Sequence, residues 1–258
     1  MADDPLLSCR LKIDRAIEHF NHLHAHYEAF TARRPYRVVV EEDTEPAIKI
    51  HRVHIAESIP QEWSAVVGDV LHNLRSALDS LAASLIEQKA TAPKSVVERT
   101  YFPIRGAKSG LYDNEATSFF GHIRSDAEKL IRRLEPYRGG KGNPLWQLSR
   151  LNIIDKHRRI LLAGANLSKV QVSIVADDSS VETSEPGIPV LRAPFPLEEG
   201  DEIKRTGFFE PAFDANTHFV FDVAFNEPDV VYRQPVLKTL LEIINSVQCV
   251  ILLSEKRF

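Results

Sequence analysis

Apolar residues recur at helical spacing through residues 6–32, with Leu11, Ile17, Phe20, Leu23, Tyr27 and Phe30 as the expected buried positions, until Pro35 stops the run. The pattern then switches to alternation. Tyr36–Glu42 and Ala47–Ile55 read as two strands joined by a turn at Asp43–Pro46, and a slip of the alternation at Arg52 suggests a bulge. Helical spacing returns over 61–88, after Ser58 and Pro60 as start signals. Residues 89–125 are mixed and hold the apolar element Tyr101–Ile104 and a loop-like stretch, 105–116. Residues 126–135 and 145–163 read as helices, separated by the glycine-rich break Arg138–Pro144, and the second is closed by Gly164. Short strands are expected next, at Val170–Ala176, Val181–Thr183, Ile188–Leu191, Asp201–Phe209 and Thr217–Phe225. A last helix, 234–254, has Pro235 near its first turn and is apolar nearly all round, which predicts burial. The class is α+β. One domain over 1–258 has a helical-bundle body (6–165 and 234–254) that carries a β-hairpin at 36–55, with a β-rich insertion at 168–228 before the closing helix.

Composition narrows the function classes. Of 258 residues, 43% are hydrophobic and 26% charged, as in folded soluble proteins. A net charge of −4 argues against constitutive binding to duplex DNA, but leaves RNA contact through Lys156, Arg158 and Arg159 open. The two cysteines, Cys9 and Cys249, make neither a disulfide framework nor a zinc spacing, so a reducing compartment is expected. The start MADDPLLSCR has no signal-peptide apolar core, and no uninterrupted apolar run has transmembrane length. The expectation is a cytoplasmic protein without a membrane partner.

Candidate chemistry lies in two segments. The first is Asp69–Ile86, whose Val70, Leu71, Leu74, Leu78, Leu81 and Leu85 make one helical face. The other face holds Asp69, His72, Asn73, Ser76, Asp79, Ser80 and Ser84, with Arg75 as the one long charged side chain. Short polar residues are poor helix formers compared with Lys and Glu. A whole face of them implies a close approach, by another helix or by a ligand. One reading is a polar helix–helix seam, another a pocket lined by His72, Asn73, Arg75 and Asp79, and a third a solvated face. His72 and Asp79 are too far apart along the helix to bond each other, but both face one partner.

The second segment is Trp146–Gly164. Trp146, Ile153, Ile154, Ile160 and Leu161 mark an apolar side, and Arg150 and His157 fall in its middle. A buried arginine demands a carboxylate, and Asp79 or Asp69 on the first segment is the expected partner. Asn152, Asp155, Lys156 and Arg159 point away. Read structurally, this is a buried Arg–Asp–His network. Read functionally, His157 or His72 transfers protons while Arg150, Arg158 or Lys156 holds an anion. A solvated basic helix end at Lys156–Arg159 is the third option.

The Arg-x6-His spacing from Arg150 to His157, on a helix of a helical body, resembles the signature of the HEPN superfamily. That resemblance implies a metal-independent ribonuclease, with Arg150 and His157 as the site pair meeting a second copy across a dimer. Leu151 stands where the family usually has a polar residue, and the β-rich segment lies outside its bundle. Leu71–Leu81 (LHNLRSALDSL), Tyr101–Ile104 (YFPI) and Leu151–Arg158 (LNIIDKHR) together resemble a family of uncharacterised bacterial and phage proteins, which implies no activity.

Other motifs add little. His19, His22 and His26 share a helical face without a further ligand, so no metal is expected. Gly139–Gly142 does not fit the phosphate-loop pattern G-x-x-x-x-G-K-[ST] and no strand precedes it, and Asp177–Ser180 reads as a turn. No cofactor fingerprint is present. Two functions stay open. One is a non-enzymatic binding or regulatory protein with a partner protein or RNA. The other is a HEPN-like, toxin-type ribonuclease that uses Arg150 and His157, with His72 and Asp79 in the same cleft, as a homodimer. In either case Asn73, Arg75, Asn152, Asp155, Lys156 and Arg158 are the candidate ligand contacts.

Overall fold

The central element is a helix with two buried sides. The computed structural model describes residues 4–43, 48–88, 94–172, 195–207 and 217–258. Within them α1 (Leu7–Ala32) leads into the hairpin β1 (Tyr36–Glu42) and β2 (Ile48–Ile55), and then into α2 (Trp63–Glu87). On α2, Val67, Val70, Leu71, Leu74, Leu78, Leu81 and Leu85 are all buried. Short helices follow: α3 (Lys94–Glu98), a 3-10 turn (Lys108–Tyr112), α4 (Asn114–Gly121) and α5 (Ser125–Leu134). The last elements are α6 (Asn143–His157), β3 (Leu162–Val172), β4 (Glu202–Gly207), β5 (Thr217–Phe225) and α7 (Val236–Glu255). α2 packs on α1, α6 and α7, and α7 also touches α1 and α6. These four helices make a bundle. The fold is α+β, as the alternation of helical and two-residue periods predicts.

The hairpin and α1, α2 and α7 match the sequence reading to within about two residues at each end. The slip at Arg52 is real: β2 pairs with β4 and the register shifts between His51 and Arg52. That pairing joins the later β segment to the hairpin as one sheet of order β1-β2-β4, while β3 and β5 pair separately, antiparallel. The expected strands Val181–Thr183 and Ile188–Leu191, and the turn Asp177–Ser180, lie outside the described residues. The stretch read as loop, 105–116, instead forms the 3-10 turn and starts α4, whose N-terminus is capped by Asp113 accepting from the Ala116 amide at 2.7 Å.

The helix expected over 145–163 ends early. Arg158 is extended, and its guanidinium grips the buried Glu227 carboxylate at 2.9 and 2.6 Å. The same carboxylate accepts from the Leu161 amide at 2.9 Å. The contact spans 69 residues of sequence, so helical periodicity gave no sign of it. Gly164 therefore closes no helix. It lies inside β3 under the Tyr36 ring, where an added Cβ would sit 2.7 Å from the ring carbon Cζ. α7 is long and apolar enough to cross a membrane by length and composition, contrary to expectation, but its buried face packs on the bundle.

Candidate functional site

The short polar face of α2 divides into two halves with different neighbours. The first meets α1. Lys12 Nζ donates to Ser80 Oγ at 2.8 Å and Ser84 Oγ donates to the Pro5 carbonyl at 2.9 Å. Small side chains here let α1 approach closely, so this half is a helix–helix seam. Asn73 is satisfied locally, with Nδ2 donating to the Asp69 carbonyl at 2.8 Å.

The second half faces α6 and the segment around Phe102. Gly68 lets the Asp155 carboxylate lie against the α2 backbone: a Cβ at Gly68 would be 2.4 Å from Asp155 Oδ1. Burial pushes the Asp155 carboxyl above the ordinary range, the Asp69 charge pushes it further, and His72 opposes both. Two turns along α2, Asp79 is raised mainly by burial, while Arg75, the Phe102 amide and Lys156 of α6 pull it back. His72 thus influences Asp155 of α6 electrostatically, while Asp79 is bonded to Arg75 and the Phe102 amide.

Asp79 and Arg75 also clasp the Phe102 peptide from both sides. The Phe102 amide donates to Asp79 Oδ1 at 2.9 Å, and Arg75 Nη2 donates to the Phe102 carbonyl at 3.2 Å. The two side chains pair with each other at 2.9 Å. Two of the three segments behind the bacterial and phage resemblance are therefore joined by hydrogen bonds, and the third packs on α2 through Asp155.

Beside the clasp opens a cleft of about 740 Å³, lined by Arg75, Arg99, Tyr101, Arg105, Phe119 and His122, with Glu115 as the one carboxylate among its described lining residues. Arg105 pairs with Asp113 at 3.4 Å and Glu115 at 3.1 Å. Arg75 Nη1 and Arg105 Nε are enclosed and have no hydrogen-bond partner among the described residues. An unmade bond of this kind costs about 1–3 kcal/mol, more for a charged donor. Two such donors on residues of one cleft suit an anion.

Arg150 and His157 are placed otherwise than expected. Both are exposed, on the outer face of α6. The buried face carries Leu145, Leu148, Leu151 and Asn152, opposite to them, while Ile153 is 41% exposed. The wheel was misdirected because Ile160 and Leu161, which helped define its apolar side, lie beyond the helix end. Asp79 is paired with Arg75 rather than Arg150, and no buried Arg150–His157–Asp network exists. Asp155, expected to point outward, is the α6 residue that meets α2. Arg158 is committed to Glu227, and Lys156 is exposed. Asn152 is buried with Oδ1 unpartnered.

Arg99, Arg105 and His122 were not singled out in the sequence, nor was Glu227. Basic residues flanking the flagged Tyr101–Ile104 element were the available signal for the first two. The rings of His22 and His26 lie with centroids 4.2 Å apart on α1, tilted by 56°, and no cluster among the described residues has the three groups a metal needs. Comparison with family models, curated proteins and solved structures gives no match.

Proposed function

We infer that the protein is a non-enzymatic binding protein whose ligand is a small anion-bearing molecule seated in the cleft beside Phe102. The observation that supports this is the pair of enclosed, unpartnered guanidinium N–H groups, Arg75 Nη1 and Arg105 Nε, on residues that line one cleft. A phosphate or carboxylate there pairs with the guanidinium groups of the wall, and reaches these two donors by a small turn of each side chain. Arg99 is exposed at the cleft and adds attraction on approach. Tyr101 and Phe119 supply apolar wall area for the rest of the ligand. Asp79 and Arg75 act as structural members, since their bonds to Phe102 fix the cleft wall.

Calorimetric titration tests this, with inorganic pyrophosphate and a mononucleotide as probes and the uncharged nucleoside as control. Saturable binding near one equivalent is expected. Arg99→Glu, an exposed position that leaves the clasp intact, is expected to weaken it at least tenfold. Absence of binding by both anionic probes, or equal binding by Arg99→Glu, overturns the reading.

One observation favours a second reading, the metal-independent ribonuclease. Arg150 and His157 lie exposed on one outer face of α6, open to RNA and to another chain. RNA degradation in EDTA by the wild type, lost in folded Arg150→Ala and His157→Ala, would support it. No cleavage by the wild type would exclude it.

A further inference from the structure

The outer face of α7 carries a stripe that the other described residues leave exposed, with only its last member, Glu255, bonded by Arg10 of α1. Lys238, Leu241, Asn245, Gln248, Leu252 and Glu255 are all exposed, and the two leucines are 46% and 63% exposed. Their spacings are 3, 4, 3, 4 and 3 residues, so they form one seam with the 3.5-residue average of paired helices. The opposite face of the same helix is filled by Leu240, Ile243, Val247 and Val250 packing on the bundle. The stripe is thus surplus to the core.

The spacing is the same read from either end, and the chemistry is complementary about its centre. We propose that α7 pairs antiparallel with α7 of a second copy across a two-fold axis between Ser246 and Val247. In that register Leu241 meets the partner's Leu252, Asn245 meets the partner's Gln248 amide to amide, and Lys238 meets the partner's Glu255. Each contact occurs twice, as an isologous interface requires. A parallel pairing would oppose lysine to lysine and glutamate to glutamate, so the charges select the antiparallel one. Two amides and two charges within the stripe also make it a poor surface for lipid.

The contact is of modest size. A 20-residue helix is about 30 Å long, and a seam about 10 Å wide covers about 300 Å² per copy, against about 800 Å² in a standard interface. Leu7 and Leu11 on α1 are exposed, and α1 is tied to the end of α7 by Arg10 bonding Glu255 at 2.9 Å. Association in the micromolar range is expected. The pairing is independent of what the cleft binds.

Sedimentation equilibrium of the full chain tests it. The wild type is expected to dimerise between 1 and 100 µM (about the range that modest interfaces occupy). Leu241→Glu and Leu252→Lys, each at an exposed site and each checked for native circular dichroism, are expected to raise the dissociation constant at least tenfold. Mixing the two variants restores a heterodimer, because the introduced carboxylate then faces the introduced ammonium of the other chain. A wild type that stays monomeric at 100 µM overturns the proposal. So does a dimer unaffected by either substitution, or a mixture that does not recover, which would place the contact elsewhere or in another register.

Discussion

Two arginine–carboxylate pairs hold distant segments of this chain together, and they differ in how completely they are used. At the end of α6, Arg158 places both Nη atoms on Glu227, and Glu227 also takes the Leu161 amide. Glu227 is 2% exposed while Arg158 is half-exposed, so the arginine brings its charge from the surface to neutralise a buried acid. On α2, Arg75 and Asp79 are both largely enclosed and together bracket Phe102, yet Arg75 keeps one donor unmade beside a cleft. The first pair is self-contained and ends a helix. The second leaves one guanidinium donor without a partner among the described residues, on a residue that lines the candidate cleft. The difference separates a pair that closes on itself from one with capacity for a further acceptor.

Breaking the first pair has the largest expected effect. Arg158→Ala leaves a buried carboxylate without its cation and is expected to cost about 3 kcal/mol. Glu227→Gln is milder, because the released guanidinium is already half in water and the amide oxygen still accepts from Leu161. Urea denaturation of both checks the order, and a reversed order would show that the arginine is the dependent partner. Asp79→Ala removes the acceptor of the Phe102 amide and frees Arg75, with an expected loss of about 2 kcal/mol. It is also expected to weaken ligand binding by loosening the cleft wall, which Arg158→Ala leaves alone. If both variants lower affinity equally, the division between the two pairs fails.

A third carboxylate has no cation beside it among the described residues. Asp222 accepts from the Tyr27 hydroxyl and the Val223 amide, and burial pushes its pKa up against both. The folded state therefore holds this proton more tightly than the unfolded state does. Between the unfolded pKa and the raised folded one, stability from this group grows as pH falls; above both, the ionised form is a constant penalty. Asp222→Asn keeps an acceptor for Tyr27 and removes that charge. It is expected to raise stability at neutral pH and to remove the gain on acidification, so that the acid limb of the stability–pH curve becomes steeper. A loss of stability at neutral pH would show that the charge itself is needed.

Much of this was legible in the residues, and the failures have physical reasons. The hairpin, the bulge at Arg52, and the closeness of α2 to α6 follow from local periodicity and from the unusual polar face of α2. The α6 boundary did not, because Glu227 enforces it from far along the chain. The boundary decides the face: with Ile160 and Leu161 counted in the helical period Arg150 and His157 fall on the apolar side, whereas a helix ending at His157 turns Leu148 and Leu151 inward. The cleft was half legible. Arg75 and Tyr101–Ile104 stood out, but Arg105 and His122 join them only through the path of the chain around α4.

The smallest expected effect gives the sharpest view of the seam between α2 and α6. Gly68→Ala adds a Cβ where the Asp155 carboxylate now lies, at 2.4–2.6 Å from its three atoms. Alanine favours the helix over glycine by about 1 kcal/mol, and the obstacle is the end of a movable side chain, so the net change in stability is expected within about 1 kcal/mol of zero. The chemical change is larger than the energetic one. Displaced from the α2 backbone, Asp155 gains water and leaves the field of Asp69, and both causes of its raised pKa weaken. NMR titration of the Asp155 carboxyl carbon is expected to show a lower pKa in Gly68→Ala than in the wild type. An unchanged value would mean that the carboxylate stays in place and the helix moves instead, and a stability loss well beyond 1 kcal/mol would then accompany it.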